Sequence, residues 1–179
     1  MMETRLKEII LLSFMLLFCN LTATNRVNSE KCCQKLLPDF IKTIIKDSLT
    51  EYIIPDEKMF DSEWKSYEHI TRPMFAFSDF NGDKEIDYAI ILLSKNHRKT
   101  LLCVFLSNKK SYSIYRIRTF NLNNDFIDVF ISIQRKGYWK SVITKHLVKY
   151  DGITVDWASE SLSFNYYWDK SQFVKFLYD

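Results

Sequence analysis

From Pro73 to its end the chain is a succession of short apolar or alternating runs, with no stretch of helical periodicity between them. That pattern limits the fold more than any other feature. The runs include MFAFSDF, IDYAIILL, LLCVFLS, YSIYRIR, FIDVFISIQ, SVITKHLVKY, ITVDW, SLSFNYYW and QFVKFLY. In ITVDW, Ile153, Val155 and Trp157 alternate with Thr154 and Asp156. In SLSFNYYW, Leu162, Phe164, Tyr166 and Trp168 fall on one side. A period of two marks strands with one face buried and one wet. Parallel strands need a helical crossover of a dozen or more residues, and no such segment is present, so the sheet is expected to be antiparallel. Asp151-Gly152 predicts a tight hairpin between the runs on either side of it. Asp169-Lys170-Ser171 predicts another.

Before Pro73 the texture differs. KLLPDFIKTIIKDSLTEY carries apolar residues at 36, 37, 40, 41, 44, 45 and 49, the spacing of an amphipathic helix. Pro38 and Asp39 suit its first turn, where a missing N–H costs nothing and a negative charge meets the helix dipole. Residues 56–72 show no period, and Trp64 and Tyr67 are their expected anchors. The fold class predicted is α+β: an N-terminal amphipathic helix packed on a meandering antiparallel β-sheet, one domain over residues 35–179.

The first residues read as an address. Arg5 and Lys7 precede an apolar stretch from Ile9 to Phe18, followed by Thr22, Ala23 and Thr24. This is the layout of a secretory signal peptide, residues 1–23, with a polar leader over 24–34. The apolar stretch is shorter than the about 20 residues a membrane-spanning helix needs. Cys19 raises the alternative of a lipoprotein, but the residue before it is the bulky Phe18. The expected location is therefore secreted or periplasmic. Secretion permits disulfides. Cys32 and Cys33 are neighbours and would be strained as a pair, which leaves either of them to bridge Cys103, or Cys103 as a buried thiol inside LLCVFLS.

Composition excludes several classes. The 179 residues include only 3 Gly and 3 Pro, so collagen-like and linker-rich architectures are ruled out. The net charge of +3 is too even for a nucleic-acid partner, which calls for a basic stripe. His69, His97 and His146 are scattered and form no metal-binding motif. There is no phosphate-binding glycine loop and no nucleophile elbow. Tyr166, Tyr167 and Trp168 read as core and rim, with a recognition surface as the alternative.

One stretch does carry chemistry. In FSDFNGDKEIDYAIILL, side-chain oxygens fall at Asp79, Asn81, Asp83 and Asp87, positions 1, 3, 5 and 9 of a loop in front of a strand. Alternate residues of a tightly curled loop point inward together, and calcium favours such gathered oxygens. Glu85 is placed to add its backbone carbonyl, and Ile86 to anchor the loop in the core. The competing reading is a plain Asn-Gly hairpin turn whose aspartates cap backbone N–H groups. NLNNDFID, residues 121–128, echoes the loop and reads as an ordinary Asn-rich turn.

DFNGDKEIDYAIILL resembles the D-x-N-G-D-G-x-x-D calcium loop of the FG-GAP and VCBS repeat families. Asp79, Asn81, Gly82, Asp83 and Asp87 match residue by residue, and Lys84 stands where those families have Gly. The resemblance covers some fifteen residues and implies a bound Ca2+ ahead of a strand. One loop is too little for a propeller, which needs at least four blades of four strands. The functional expectation is a non-enzymatic binding module with one structural calcium-type loop, its partner a protein or a surface polymer. An inhibitor or immunity-type protein for a secreted enzyme is the alternative, and a metal-dependent hydrolase the third.

Overall fold

The structure is a computed structural model that describes residues 37–109, 111–122, 125–140 and 145–177. The segments read from the sequence as signal peptide and leader, with Cys19, Cys32 and Cys33, lie outside the described residues. Helix α1 (Asp39–Ser48) opens with an acidic side chain and ends with Lys46 in its last turn, both favourable to the dipole. It buries Ile41 and Ile45, one turn apart, while Phe40 is 45% exposed. Two 3₁₀ turns follow, Glu57–Met59 and Ser62–Ser66. Asp56 and Asp61 start them by accepting from the N–H groups of Lys58 (3.0 Å) and Glu63 (2.9 Å). Trp64 and Tyr67 are half-buried here, and the full anchors of the segment are Phe60 and Ile70.

The strands are antiparallel, as expected, but they form two sheets and a separate hairpin rather than one meander. The first sheet holds β1 (Tyr52–Ile53), β2 (Phe75–Ser78), β3 (Asp87–Ser94), β4 (Lys99–Ser107) and β5 (Tyr112–Asn121). Its order is β1-β3-β4-β5, with β2 also on β3. The second holds β6 (Val129–Gln134), β9 (Gly152–Trp157), β10 (Leu162–Asp169) and β11 (Gln172–Leu177), in the order β11-β10-β9-β6. Strands β7 (Gly137–Lys140) and β8 (Lys145–Val148) pair only with each other. Ala89 to Leu93 and Thr100 to Leu106 are buried without a break, which explains why β3 and β4 read as apolar runs and not as alternations. Cys103 lies among them as a free thiol, pushed up to about 12 by burial.

Three expectations need correction. Asp151-Gly152 does not close a hairpin: β8 pairs with β7, while β9 pairs with β6 and β10. Gly152 is there for space, since a Cβ would come 2.3 Å from the Trp139 ring and 2.5 Å from the Tyr166 carbonyl oxygen. The polar face of β9 and β10 is not wet either. Thr154, Asp156 and Asn165 are buried, because Tyr67 and His69 cover it from one side and Trp139 from another. The turn after β10 is as predicted in place but is a two-residue one, since Asp169 pairs with Gln172. Lys170 and Ser171 both have positive φ (44° and 78°), as a type I′ turn requires.

Among the described residues no helix is long and apolar enough to cross a membrane.

Candidate metal centre

The loop from Asp79 to Ile86 joins β2 to β3, whose ends meet at the pair Ser78 and Asp87. It is an eight-residue excursion and not a two-residue Asn-Gly hairpin. Its shape follows from its own side chains. The Asp79 carboxylate accepts from the N–H of Gly82 (2.6 Å) and of Lys84 (3.0 Å). Asn81 Oδ1 accepts from Asp83 N (2.9 Å), and Asp83 Oδ1 from Glu85 N (2.8 Å). Asn81 Nδ2 donates to the other Asp83 oxygen at 3.2 Å. These successive Asx turns curl the chain so that Asp79, Asn81 and Asp83 stay close together. Gly82 and Lys84 both take positive φ, 85° and 71°. At Lys84 that conformation costs a non-glycine residue about 1 kcal/mol.

Asp87 closes the loop from beneath. It is fully buried, and its two oxygens accept from Phe80 N (2.8 Å) and Ser107 N (2.7 Å). Burial drives its carboxyl up to about 6 against the pull of those two N–H groups, and the neighbouring Asp83 and Asp79 push it further. The loop's negative field extends to Tyr112, whose hydroxyl is raised chiefly by burial and also by Asp87, Glu85 and Asp83.

The anchor is not the one expected. Ile86 is 52% exposed, whereas Phe80 is fully buried. The parity of the loop explains this: Asp87 turns inward to begin β3, so its neighbour Ile86 turns out. Residues distant in sequence complete the setting. The Tyr150 ring lies over Gly82. Asp151 accepts from Ser78 Oγ (2.8 Å), Arg135 Nη1 (2.7 Å) and Lys136 N (3.0 Å). Burial pushes the Asp151 carboxyl up, but these three donors hold it below the usual range. No local signal around Tyr150 or Asp151 announces either contact.

The structure thus brings Asp79, Asn81, Asp83 and Asp87 into one neighbourhood and leaves Glu85 exposed at its edge. The donors fit a hard divalent cation in kind. An oxygen that accepts one N–H keeps a second lone pair, so shaping the loop and ligating a cation are compatible. Among the described residues, no three His, Cys, Asp or Glu side chains are gathered into a ready ligand set. Asn81 and backbone oxygens would have to share the work.

The other polar constellation is on the second sheet. Asp156 accepts from Ser163 Oγ and sits 3.1 Å from His69 Nε2. The carboxylate stands between serine and histidine, so this arrangement gives Ser163 no histidine base. His97 lies in the β3–β4 turn, and His146 faces Tyr167 from β8. In the echo segment, Ile127 forms a bridge to Phe60 and Asp128 accepts from Trp157 Nε1 at 3.2 Å; Asn123 and Asn124 are outside the described residues. Compared with family models, curated proteins and solved structures, the chain matches none.

Proposed function

We propose that the chain is an exported, non-enzymatic binding module whose loop 79–87 holds one structural calcium ion, in the manner of a single FG-GAP or VCBS loop. The observation that carries this reading is the backbone at Lys84. It is left-handed (φ 71°) at the one position where those families place Gly and this chain does not. Asp79 holds it there through the Lys84 N–H. Asp79, Asn81, Asp83 and Asp87 would be the side-chain ligands, with Glu85 adding a backbone oxygen. The ion would join the first turn of β3 to the loop and neutralise carboxylates that otherwise repel. A binding role is favoured over catalysis because every candidate ligand comes from one turn, whereas a catalytic metal needs an open position and a nearby base. The partner would be another protein or a surface polymer.

Melting curves in calcium, in chelator and in magnesium test the loop. An ion that binds only the folded state adds about 2.7 kcal/mol at 100-fold excess over its dissociation constant. Magnesium, which demands a tighter octahedron, should substitute poorly. Asp83→Ala should abolish the calcium shift and leave the apo protein folded, and Lys84→Gly should enlarge it. A wild-type curve indifferent to millimolar calcium would reduce the loop to a turn. Export is tested by intact mass: protein recovered from the periplasm or medium should begin near Thr24. Retained Met1, or a lipid adduct on Cys19, would overturn it.

A further inference from the structure

We propose that Arg118 and Lys175 form a binding site for an organic oxyanion, a carboxylate or phosphate group carried on an apolar body that rests on the aromatic side chains beside them. The two cations come from different sheets and converge on one ring. The Arg118 guanidinium lies 4.9 Å from the Phe164 ring centre, and Lys175 Nζ lies 4.3 Å from the same centre. Arg118 also reaches the rings of Phe120 (5.2 Å) and Trp157 (5.8 Å). Among the described residues neither cation has a carboxylate partner. Arg116, two positions earlier, is paired with Glu51 at 2.9 Å.

The backbone is bent to make this happen. β5 pairs Arg116 with Cys103 and Arg118 with Leu102, so Ile117 is an extra residue, a β-bulge. Without it Arg118 would alternate to the face opposite Tyr115. With it, Tyr115 (opposite Val104) and Arg118 (opposite Leu102) share a face. Bulges of this kind re-aim a side chain, often next to a binding site. Two like charges are thereby brought onto one ring. Partial loss of hydration and the nearby guanidinium both lower the Lys175 ammonium from its ordinary value. The hydroxyl of Tyr166 stands against Arg118, so a third hydrogen-bonding group faces the same spot. An oxyanion between the cations would remove their repulsion and accept from the planar guanidinium fork. Next to it, Tyr115, Trp168 and Phe173 meet edge to face, with centres 5.1 to 5.9 Å apart. These three give the ligand's apolar body a surface to lie on. The site is independent of the acidic loop.

The test is calorimetric titration of the full mature chain with phenyl phosphate, phenylacetate and inorganic phosphate, at fixed ionic strength with chloride as the blank. It is run with calcium and again with chelator. One aryl anion is expected to bind with a Kd below about 1 mM, more tightly than inorganic phosphate. Which of the two binds better tells phosphate from carboxylate. Lys175→Gln, at an exposed position, should weaken it about tenfold or more with no change in melting temperature, and Arg118→Lys should weaken it despite keeping the charge. Two results would overturn the site: no anion binding beyond chloride, or unchanged affinity in Lys175→Gln. In either case the cations merely cap Phe164.

Discussion

The ring of Tyr150 lies so close over Gly82 that a Cβ at Gly82 would sit 2.0 Å from Tyr150 Cε1. Gly82 also has φ +85°. Gly82→Ala therefore meets two separate penalties, one of backbone conformation and one of space. The first is about 1 kcal/mol; together they should cost about 1–3 kcal/mol in a urea titration. A double-mutant cycle separates them. With Tyr150→Ser in place, Gly82→Ala should cost only the backbone share.

Asp87 sets a pH dependence that runs against the usual direction for a carboxylate. Its folded value is about 6, while a free aspartate titrates near ~3.9. The folded state holds this proton more tightly than the unfolded chain, so stability falls as pH rises from about 4 to about 6. The penalty, on the order of 3 kcal/mol, is complete above the folded value. Asp151 and Glu51, whose carboxyls are lowered, act in the opposite sense. The contribution of Asp87 is thus read as the difference between wild type and Asp87→Asn in chelator, across pH 4 to 7. That difference should slope across this window. The slope, though not the difference itself, should vanish in saturating calcium if the ion keeps the carboxylate charged.

Phe80 and Ile86 give a direct contrast. Phe80 is fully buried and Ile86 is half exposed. Phe80→Ala should cost about 3–5 kcal/mol, as large aromatic truncations in a core do. Ile86→Ser should stay within about 0.5 kcal/mol. Equal losses at the two positions would mean that Ile86 packs more tightly than its exposure indicates.

What the sequence disclosed was local. The apolar spacing that buries Ile41 and Ile45 is visible in one helical turn, and the shared face of Phe164 and Tyr166 in one strand. The candidate loop ligands Asp79, Asn81 and Asp83 could be picked out because each bonds a backbone group only two to five residues away, whereas Asp87 reaches back seven residues to Phe80 and across to Ser107. Partner choice between strands was not legible. The Asp151-Gly152 dipeptide carries a strong turn signal, yet β9 takes β6 and β10 as neighbours, and that choice depends on distant packing. The same holds for the buried polar face at Thr154 and Asn165. Alternation predicts two unlike faces, but not that Tyr67, His69 and Trp139 will cover the polar one. The convergence of Arg118 and Lys175 depends on a bulge, and a single extra residue leaves no periodic trace.

Asp151 also ties separate stretches of chain together. One carboxylate accepts from the strand before the acidic loop and from the adjacent Arg135 and Lys136, so two chain segments are latched to a third, the one that carries Asp151. None of them can swing free while the other two stay closed without leaving a partly buried carboxylate short of a donor. The segments should therefore open together, as one fluctuation rather than three. The Lys136 N–H then reports on the loop: under conditions where reclosing is slower than chemical exchange, it should trade its proton with solvent at the rate at which the ground under the loop opens.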